Sequence, residues 1–226
     1  MDDALPTLPQ VPIFPLPHGA LLPGELLPLH IFEPRYRRML EVVRGGDRLL
    51  GIATLLGACS AGDPPVADVI GVGRLVKDRQ NKDGTSDIVL HGLARGEILS
   101  EVTDAGPAEP FRRAQVMLVP HGAAHATAMY RARRELLHGL AGRYPGGGLQ
   151  YDVTAGFDAG ALADRIASAL DLHPDERVAM LQALDVDARC AHLLQLLDTP
   201  DHRKRLAEII PSLGAFGLAP APETQT

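Results

Sequence analysis

His121 and His125 are four residues apart, a spacing that would place both imidazoles on one helix face and let them share a metal ion. Zinc peptidases with this spacing carry a glutamate directly after the first histidine, in the pattern H-E-x-x-H. Here Gly122 takes that place. The other histidines are scattered, and the two cysteines, Cys59 and Cys190, form no C-x-x-C pair. The sequence therefore predicts no metal site.

Motifs that bind nucleotides or activate a serine are also missing from the sequence. The phosphate-binding loop G-x-x-x-x-G-K-[S/T] needs a lysine in a glycine-rich turn, and neither Lys77, Lys82 nor Lys204 has that setting. The nucleophile pattern G-x-S-x-G is absent. Gly71 and Gly73 make a lone G-x-G, which strand curvature or the close approach of another segment explains better. We expect neither catalytic residues nor a cofactor.

The composition is that of an ordinary globular chain, with 226 residues, 46% of them hydrophobic and 22% charged. The net charge of −6 argues against a broad nucleic-acid-binding surface, although a local basic patch would be compatible with it. The N-terminal residues are acidic and interrupted by proline, unlike a signal peptide. No apolar run approaches the roughly 20 residues that span a bilayer. We expect a cytoplasmic protein with free thiols and no membrane contact.

Residues 11–44 contain short apolar runs separated by prolines. Each proline removes a backbone donor and fixes φ, which excludes a helix from the first part and favours edge strands and turns. Pro34 suits the first position of a helix, where no N–H partner is needed. The helical stripe after it, at i, i+3, i+4 and i+7, consists of Tyr36, Met39, Leu40 and Val43. The segment predicts strand, proline turn, strand and helix.

Short strands are also predicted downstream, over 48–56, 66–77, 86–93, 94–102 and 113–119. Asp83 and Gly84 predict a hairpin turn. Six or seven strands with one inserted helix fit a small closed or nearly closed β-barrel. From about residue 123 helical spacing dominates, with helix starts at Asp158, at Pro174, at Asp185 or Asp187, and at Thr199–Pro200.

The predicted class is α+β. The domains are a flexible leader over 1–9, the barrel over 10–121, a helical bundle over 122–212 and a disordered tail over 213–226.

Three segments, in order, resemble the N-terminal domain of Lon proteases. They are PIFPLP and LLPGELLPLHIFEPRYRRML within 12–40, VIGVGRLVKDRQNKDGTSDIVLHGLARGEIL at 69–99 and LADRIASALDLHPDERVAMLQALDVDARCAHLLQLL at 162–197. The resemblance covers roughly residues 9–200 and is strongest to stand-alone bacterial proteins that keep this domain alone. It implies a PUA-like pseudo-barrel, a small helical bundle and a task of contacting substrate polypeptide. The ATPase module and the Ser–Lys peptidase site of a full protease are not matched, so a non-catalytic module is expected.

Two groups of residues are candidates for a site. Leu21, Leu22, Leu26 and Leu27 crowd a segment too rich in proline to hide its backbone by regular pairing, which favours an exposed apolar patch that holds unfolded or flexible polypeptide. Plugging the barrel or covering the bundle is the alternative role for these leucines. Glu33 and Arg35 are interpreted as a structural polar cluster at the start of the predicted helix.

Two other functions are compatible with the sequence. RNA binding would require the arginines of the β-rich part to share one face; these are Arg74, Arg79, Arg95, Arg112 and Arg113. The second is a scaffold or adaptor role beside an ATP-dependent protease. The acidic balance and the scarcity of aromatic residues argue against nucleic acid. No heptad sustains a coiled coil, and the sequence does not predict an oligomeric state.

Overall fold

The structure, a computed structural model, describes residues 5–57, 64–102, 110–119, 126–145, 148–152, 154, 156–216 and 218–220. The chain divides into two compact units. The first comprises Met1–Pro120 and Pro174–Gln182, and the second comprises His121–His173 and Ala183–Thr226. The predicted α+β class is confirmed.

The first unit is built on a small mixed β-sheet that closes on itself. Its strands are β1 (Thr7–Pro17), β2 (Leu26–Ile31), β3 (Leu49–Leu55), β4 (Val69–Gln80), β5 (Ser86–Glu101) and β6 (Arg112–Val119). The order β5–β4–β3–β1–β6 returns to β5, which makes a closed ring with β2 added beside β5. The β1–β3 pair is parallel and the other pairs are antiparallel. Because the ring is closed, each of its five strands is paired with a neighbour on both sides.

β5 is one long strand where the sequence predicted two, over 86–93 and 94–102. Its first half pairs with β2 on one side and β4 on the other, and its second half pairs with β4 and β6. Gly92 and Gly96 lie where the strand passes from one pairing to the other, and bulges in the β4–β5 ladder accompany the bend. The Asp83–Gly84 turn joins β4 to β5, with Gly84 at φ +82° as that turn requires.

The connection between β1 and β2, which contains Pro23, lies directly on glycines of the barrel. A Cβ atom added to Gly71 would be 2.1 Å from the carbonyl oxygen of Leu21, and one added to Gly92 would be 2.1 Å from that of Leu22. The amide of Gly92 donates to the carbonyl oxygen of Glu25 over 2.8 Å. Only residues without a side chain allow this approach, so the glycines locate the segment that leads into β2.

Helix α1 (Pro34–Gly45) is the inserted helix, and it begins at Pro34 as predicted. Its buried residues are Tyr36, Met39, Leu40 and Val43, the same four as in the predicted stripe. They pack with inward-facing residues of the strands, among them Leu50, Ile52 and Leu90, in one core cluster. A second cluster contains residues of β1, β3, β4 and β6, with Ile13, Ile70 and Val116 at its centre.

Helix α4 (Pro174–Gln182) belongs to the first unit although its neighbours in sequence belong to the second. The guanidinium of Arg95, which is 1% exposed, donates to the carbonyl oxygens of Leu181 and Met180 over 2.9 and 2.8 Å. Gln182 donates to the carbonyl of Val69. These bonds provide partners on the barrel for the last carbonyl groups of the helix. Helix α4 therefore belongs with the barrel, whereas the sequence-based division placed one boundary at 121/122 and assigned the helix to the bundle.

The second unit is mainly helical. It comprises α2 (Ala126–Arg143), α3 (Ala159–Ala169), α5 (Val186–Leu196), α6 (Pro200–Ile209), a 3-10 helix over Ile210–Phe216 and the strands β7 (Leu149–Tyr151) and β8 (Leu218–Pro220). Side chains of Asp158, Asp185 and Thr199 cap three of these helices. Arg189 and Asp164, both fully buried, form an ion pair within this unit.

Both predicted chain ends differ from the structure. Residues 7–9, assigned to the leader, are part of β1 and pair with β6. Residues 213–216 and 218–220, assigned to the tail, contain buried Leu213 and Leu218, and β8 pairs with β7. These apolar side chains and backbone pairs order a segment whose small and proline-rich composition indicated disorder. Among the described helices, none has the length and apolar character to cross a bilayer.

We predict that Gly92→Ala destabilises the fold by about 1–3 kcal/mol, because the new methyl group would overlap the backbone of Leu22 and force the segment to move. Unfolding by urea, followed by circular dichroism, measures the loss.

Gly142→Ala is the matched control, since a Cβ atom there meets nothing within 4 Å and the residue lies in helix α2. It should be neutral or stabilising by up to about 1 kcal/mol. Equal stability of the Gly92→Ala protein and the wild type would contradict the close-packing argument.

Candidate functional site

The four candidate leucines do not form one exposed patch. Leu21 and Leu22 are fully buried, and Leu27 packs against the core cluster that contains α1. Leu26 alone of the four is exposed, at 62%. The predicted patch is therefore wrong for Leu21 and Leu22, and the alternative, that they plug the barrel, describes their positions. The backbone of this segment finds bonds without regular pairing, for example from the amide of Leu22 to the carboxylate of Glu25 over 3.0 Å.

Exposed apolar residues occur instead on the outer side of β2. Alternate residues of a strand point to opposite sides, and in β2 the inward residues are Leu27, Leu29 and Ile31. The outward residues are Leu26 and Pro28, together with His30. Phe32, which comes directly after the strand, is 61% exposed and its ring stacks on His30 with centroids 6.2 Å apart.

The strand register arranges this outer face in rows across β2, β5 and β4. Leu26 lies beside His91 and Arg74, Pro28 beside Val89 and Lys77, and His30 beside Asp87 and Arg79. We name these nine residues, with Phe32, the outer face. Val76, which precedes Lys77 at a bulge of β4, is 46% exposed.

A depression of about 490 Å³ is lined by residues of two of these rows. The row of Pro28, Val89 and Lys77 and the row of His30, Asp87 and Arg79 contribute to its lining. Between these two rows lie Leu29, Ile88 and Asp78, whose side chains point to the inner side of the sheet. The backbone of these three residues therefore forms the floor of the depression. The depression is open to solvent.

Asp87 organises the polar end of the outer face. Its carboxylate accepts hydrogen bonds from Nδ1 of His30 at 2.7 Å, from Arg79 at 2.9 Å and from Asn81 at 3.2 Å. The bond from His30, followed by those from Arg79 and Asn81, lowers the pKa of Asp87 from 3.8 to about 2. Asp87 is therefore ionised at neutral pH, and it fixes the orientation of the imidazole on which Phe32 stacks.

Glu33 and Arg35, the predicted structural polar cluster, are paired with each other at the start of α1. Nε of Arg35 donates to the carboxylate of Glu33 over 3.0 Å, and its guanidinium lies 4.5 Å from the ring centroid of Tyr36. Glu33 is the residue before α1 but makes no side-chain capping bond. The pair occupies the start of the helix, beside Phe32.

The five arginines of the RNA-binding alternative do not share a face. Arg95 is buried and bonded to helix α4, and Arg112 is paired with Glu101. Arg113 donates to Gln10, and Arg79 is paired with Asp87. Arg74 alone of the five is exposed with no ionic or hydrogen-bonding partner in the described part of the chain. This distribution gives the RNA-binding alternative no support.

Residues considered for metal binding and thiol chemistry add no site. His121, His125 and Cys59 lie outside the described residues. Within the described ranges no group of three or more His, Cys, Asp or Glu side chains is placed to hold a metal ion. Cys190 is buried, and burial raises the pKa of its thiol to about 12, so it stays protonated and unreactive.

Comparison with known proteins decides the family. The family described as ATP-dependent protease La (LON) substrate-binding domain matches residues 10–199. The chain belongs to the LON substrate-binding domain family. Among its relatives, Lon protease 2 of Myxococcus xanthus is 28% identical over 91% of this chain, and Lon protease 2 of Sorangium cellulosum is 29% identical over 85%. Each alignment covers 25% of the relative, so the chain spans about a quarter of their length.

Solved structures of LON N-terminal domains have the same fold. The N-terminal domain of Mycobacterium avium complex Lon protease aligns with a TM-score of 0.60 at 20% identity, over 84% of this chain and 99% of that one. A Lon N-terminal domain protein from Xanthomonas campestris aligns with a TM-score of 0.52 at 22% identity, over 84% and 98%. The family and barrel-plus-helices architecture that the sequence resemblance implied are confirmed.

Sequence reasoning missed most of the outer face of this LON domain. Phe32, the His30–Asp87 pair and the row of Lys77 depend on the register between β2 and β5, which are far apart in sequence. The available signal was the two-residue alternation in Leu26–Phe32. It was obscured because apolar residues occupy both sides of the strand.

We predict that Asp87 titrates with a pKa of about 2 and that His30→Ala raises this value, because the bond from His30 is the largest cause of the shift. The folded pKa is below the ordinary value of 3.8, so the stability that Asp87 contributes is present above about pH 4 and is lost as the pH falls through 2. Carboxyl ¹³C NMR titration measures both pKa values. An Asp87 carboxyl that titrates near 3.8 in the wild type would contradict the assignment.

Proposed function

We propose that this chain binds segments of unfolded or flexible polypeptide on the outer face, without catalytic chemistry of its own. The observation that carries the proposal is the exposure of Leu26, at the start of β2, and of Phe32, directly after its end, at 62% and 61%. Pro28 lies between them on the same side of the strand, and exposed groups of apolar residues are typical of protein-contact surfaces. The family description, a substrate-binding domain of an ATP-dependent protease, supports the same role.

The geometry favours a chain that lies on the face over one that extends the sheet. β2 pairs only with β5 within the described ranges, so its other edge has no strand beside it. Pro28, in the middle of β2, has no N–H to give to an added strand. Proline in an edge strand is one of the ways in which proteins prevent such addition. Binding would then come from burial of side chains, with the depression between the two rows accepting groups from the partner.

The expected affinity is modest. Full burial of a leucine or phenylalanine side chain contributes about 1.5–3 kcal/mol. Leu26 and Phe32 are partly covered already, so each should contribute about 1–2 kcal/mol on binding. A few such contacts favour broad selectivity, which suits a module that receives many sequences. The ATPase and peptidase activities of full-length relatives are not part of this proposal.

We predict that Leu26→Ser and Phe32→Ser each weaken binding to an unfolded protein by about 5- to 30-fold, the factor that corresponds to 1–2 kcal/mol. Reduced and carboxymethylated α-lactalbumin, labelled with a fluorophore, is a suitable probe, and the native protein is the folded comparison. Fluorescence anisotropy gives the dissociation constants.

Leu99→Ser is the matched control, because Leu99 is 50% exposed at a bulge of β5 outside the outer face. It should bind as the wild type does. If the wild type does not prefer the unfolded probe to the native one, the proposed function is wrong. If it does, and Leu26→Ser and Phe32→Ser bind normally, polypeptide binds elsewhere on the chain.

A further inference from the structure

The outer face carries a net positive charge, whereas the chain as a whole is negatively charged. Arg74, Lys77 and Arg79 all project from the outer side of β4, whereas the net charge of the chain is −6. Arg79 is paired with Asp87. Arg74 and Lys77 are exposed, and neither has an acidic partner in the described ranges. Two uncompensated cations therefore remain on this face, next to its apolar residues.

The rows place these cations at a fixed distance from the apolar side chains. In one row Leu26 is on β2 and Arg74 on β4, and in the next Pro28 is on β2 and Lys77 on β4. Adjacent strands are about 4.8 Å apart, so the two ends of each row are about 10 Å apart. That distance is close to the width of a single polypeptide segment, either an α-helix or an extended chain with its side chains.

From this arrangement we propose that the outer face selects acidic amphipathic segments, in which apolar side chains contact Leu26, Pro28 and Phe32 while carboxylates reach Arg74 and Lys77. The inference rests on the proposed function and names its class of partner. The single acid on the face, Asp87, is paired with Arg79, so it does not cancel the charge of the other two cations.

Arg74 and Lys77 are close enough to act only on a segment that lies across the face. A strand added beyond β2 would be three strand spacings from β4, or about 14 Å. That exceeds the screening length of roughly 8 Å at physiological ionic strength, so Arg74 and Lys77 would contribute little to such a complex. The position of the cations and the proline in β2 therefore favour the same placement of the partner.

Three peptides of equal length and equal Leu, Phe and Val content test this selection, with their polar positions filled by Asp and Glu, by Ser and Gln, or by Lys and Arg. The acidic peptide should bind about 3- to 10-fold more tightly than the neutral one, as expected for one or two exposed ion pairs, and the basic peptide should bind most weakly. The preference should shrink as salt is raised from 50 to 500 mM, about a threefold drop in screening length.

Charge reversal at one site separates local from global effects. Lys77→Glu and Arg74→Glu should each reduce or invert the preference for the acidic peptide. Lys204→Glu changes the net charge by the same amount in helix α6, and it should leave the preference unchanged. An equal effect of Lys204→Glu and Lys77→Glu would overturn the proposal, because selection would then depend on net charge.

Other outcomes distinguish this inference from the proposed function. Equal binding of the three peptides, with loss in Leu26→Ser, would overturn the charge selection and leave polypeptide binding intact. Failure of all three peptides and of the unfolded protein would overturn both. Binding of a uridine oligonucleotide that Lys77→Glu abolishes, with no binding of the acidic peptide, would overturn the inference and assign the cations to RNA. A dimer in sedimentation that Leu26→Ser dissociates, without peptide binding, would overturn it in favour of a second copy of the chain.

Discussion

The contact between the Leu21–Leu22 backbone and the glycines of the barrel determines most of the architecture of the first unit. The segment between β1 and β2 is not part of a strand, so its amides and carbonyls need other partners. Gly71 and Gly92 leave room for that backbone at a distance that no side chain would permit. The segment is held there by bonds to Gly92 and Glu25, and its two leucines enter the core. The start of β2 is fixed as a consequence, and with it the side on which Leu26 emerges.

Helix α4 is held on the barrel by a buried arginine, although the residues on either side of it in sequence belong to the second unit. The last carbonyls of a helix have no partners within the helix. Those of Met180 and Leu181 accept from Arg95, a residue of β5 that is almost fully buried. A guanidinium in that position stays charged, so removal of its carbonyl partners would leave it poorly solvated. Arg177 also pairs with Glu25, whose carboxylate accepts a hydrogen bond from the amide of Leu22. The helix is thus tied to the same segment that the glycines position.

Local signals in the sequence predicted the elements that depend on neighbouring residues, whereas contacts between distant residues could not be predicted from them. Pro34 and the stripe after it indicated α1, and Asp83–Gly84 indicated the β4–β5 turn, because spacing and backbone preference decide such features within a few positions. Leu26 and Leu21 share a local context of prolines and apolar residues. One is exposed and the other buried because the first lies on the outer side of β2 and the second over Gly71. The periodicity and composition of the sequence do not distinguish these two leucines, so the candidate site was only partly predictable.

β2 is an edge strand that carries exposed apolar residues and has a proline in its middle. An edge strand with exposed Leu26 and Phe32 would ordinarily invite pairing with the edge of another molecule. Pro28 interrupts the row of donors along that edge without adding charge. Replacement of Pro28 by a residue with an N–H would therefore be expected to alter self-association before it altered the fold.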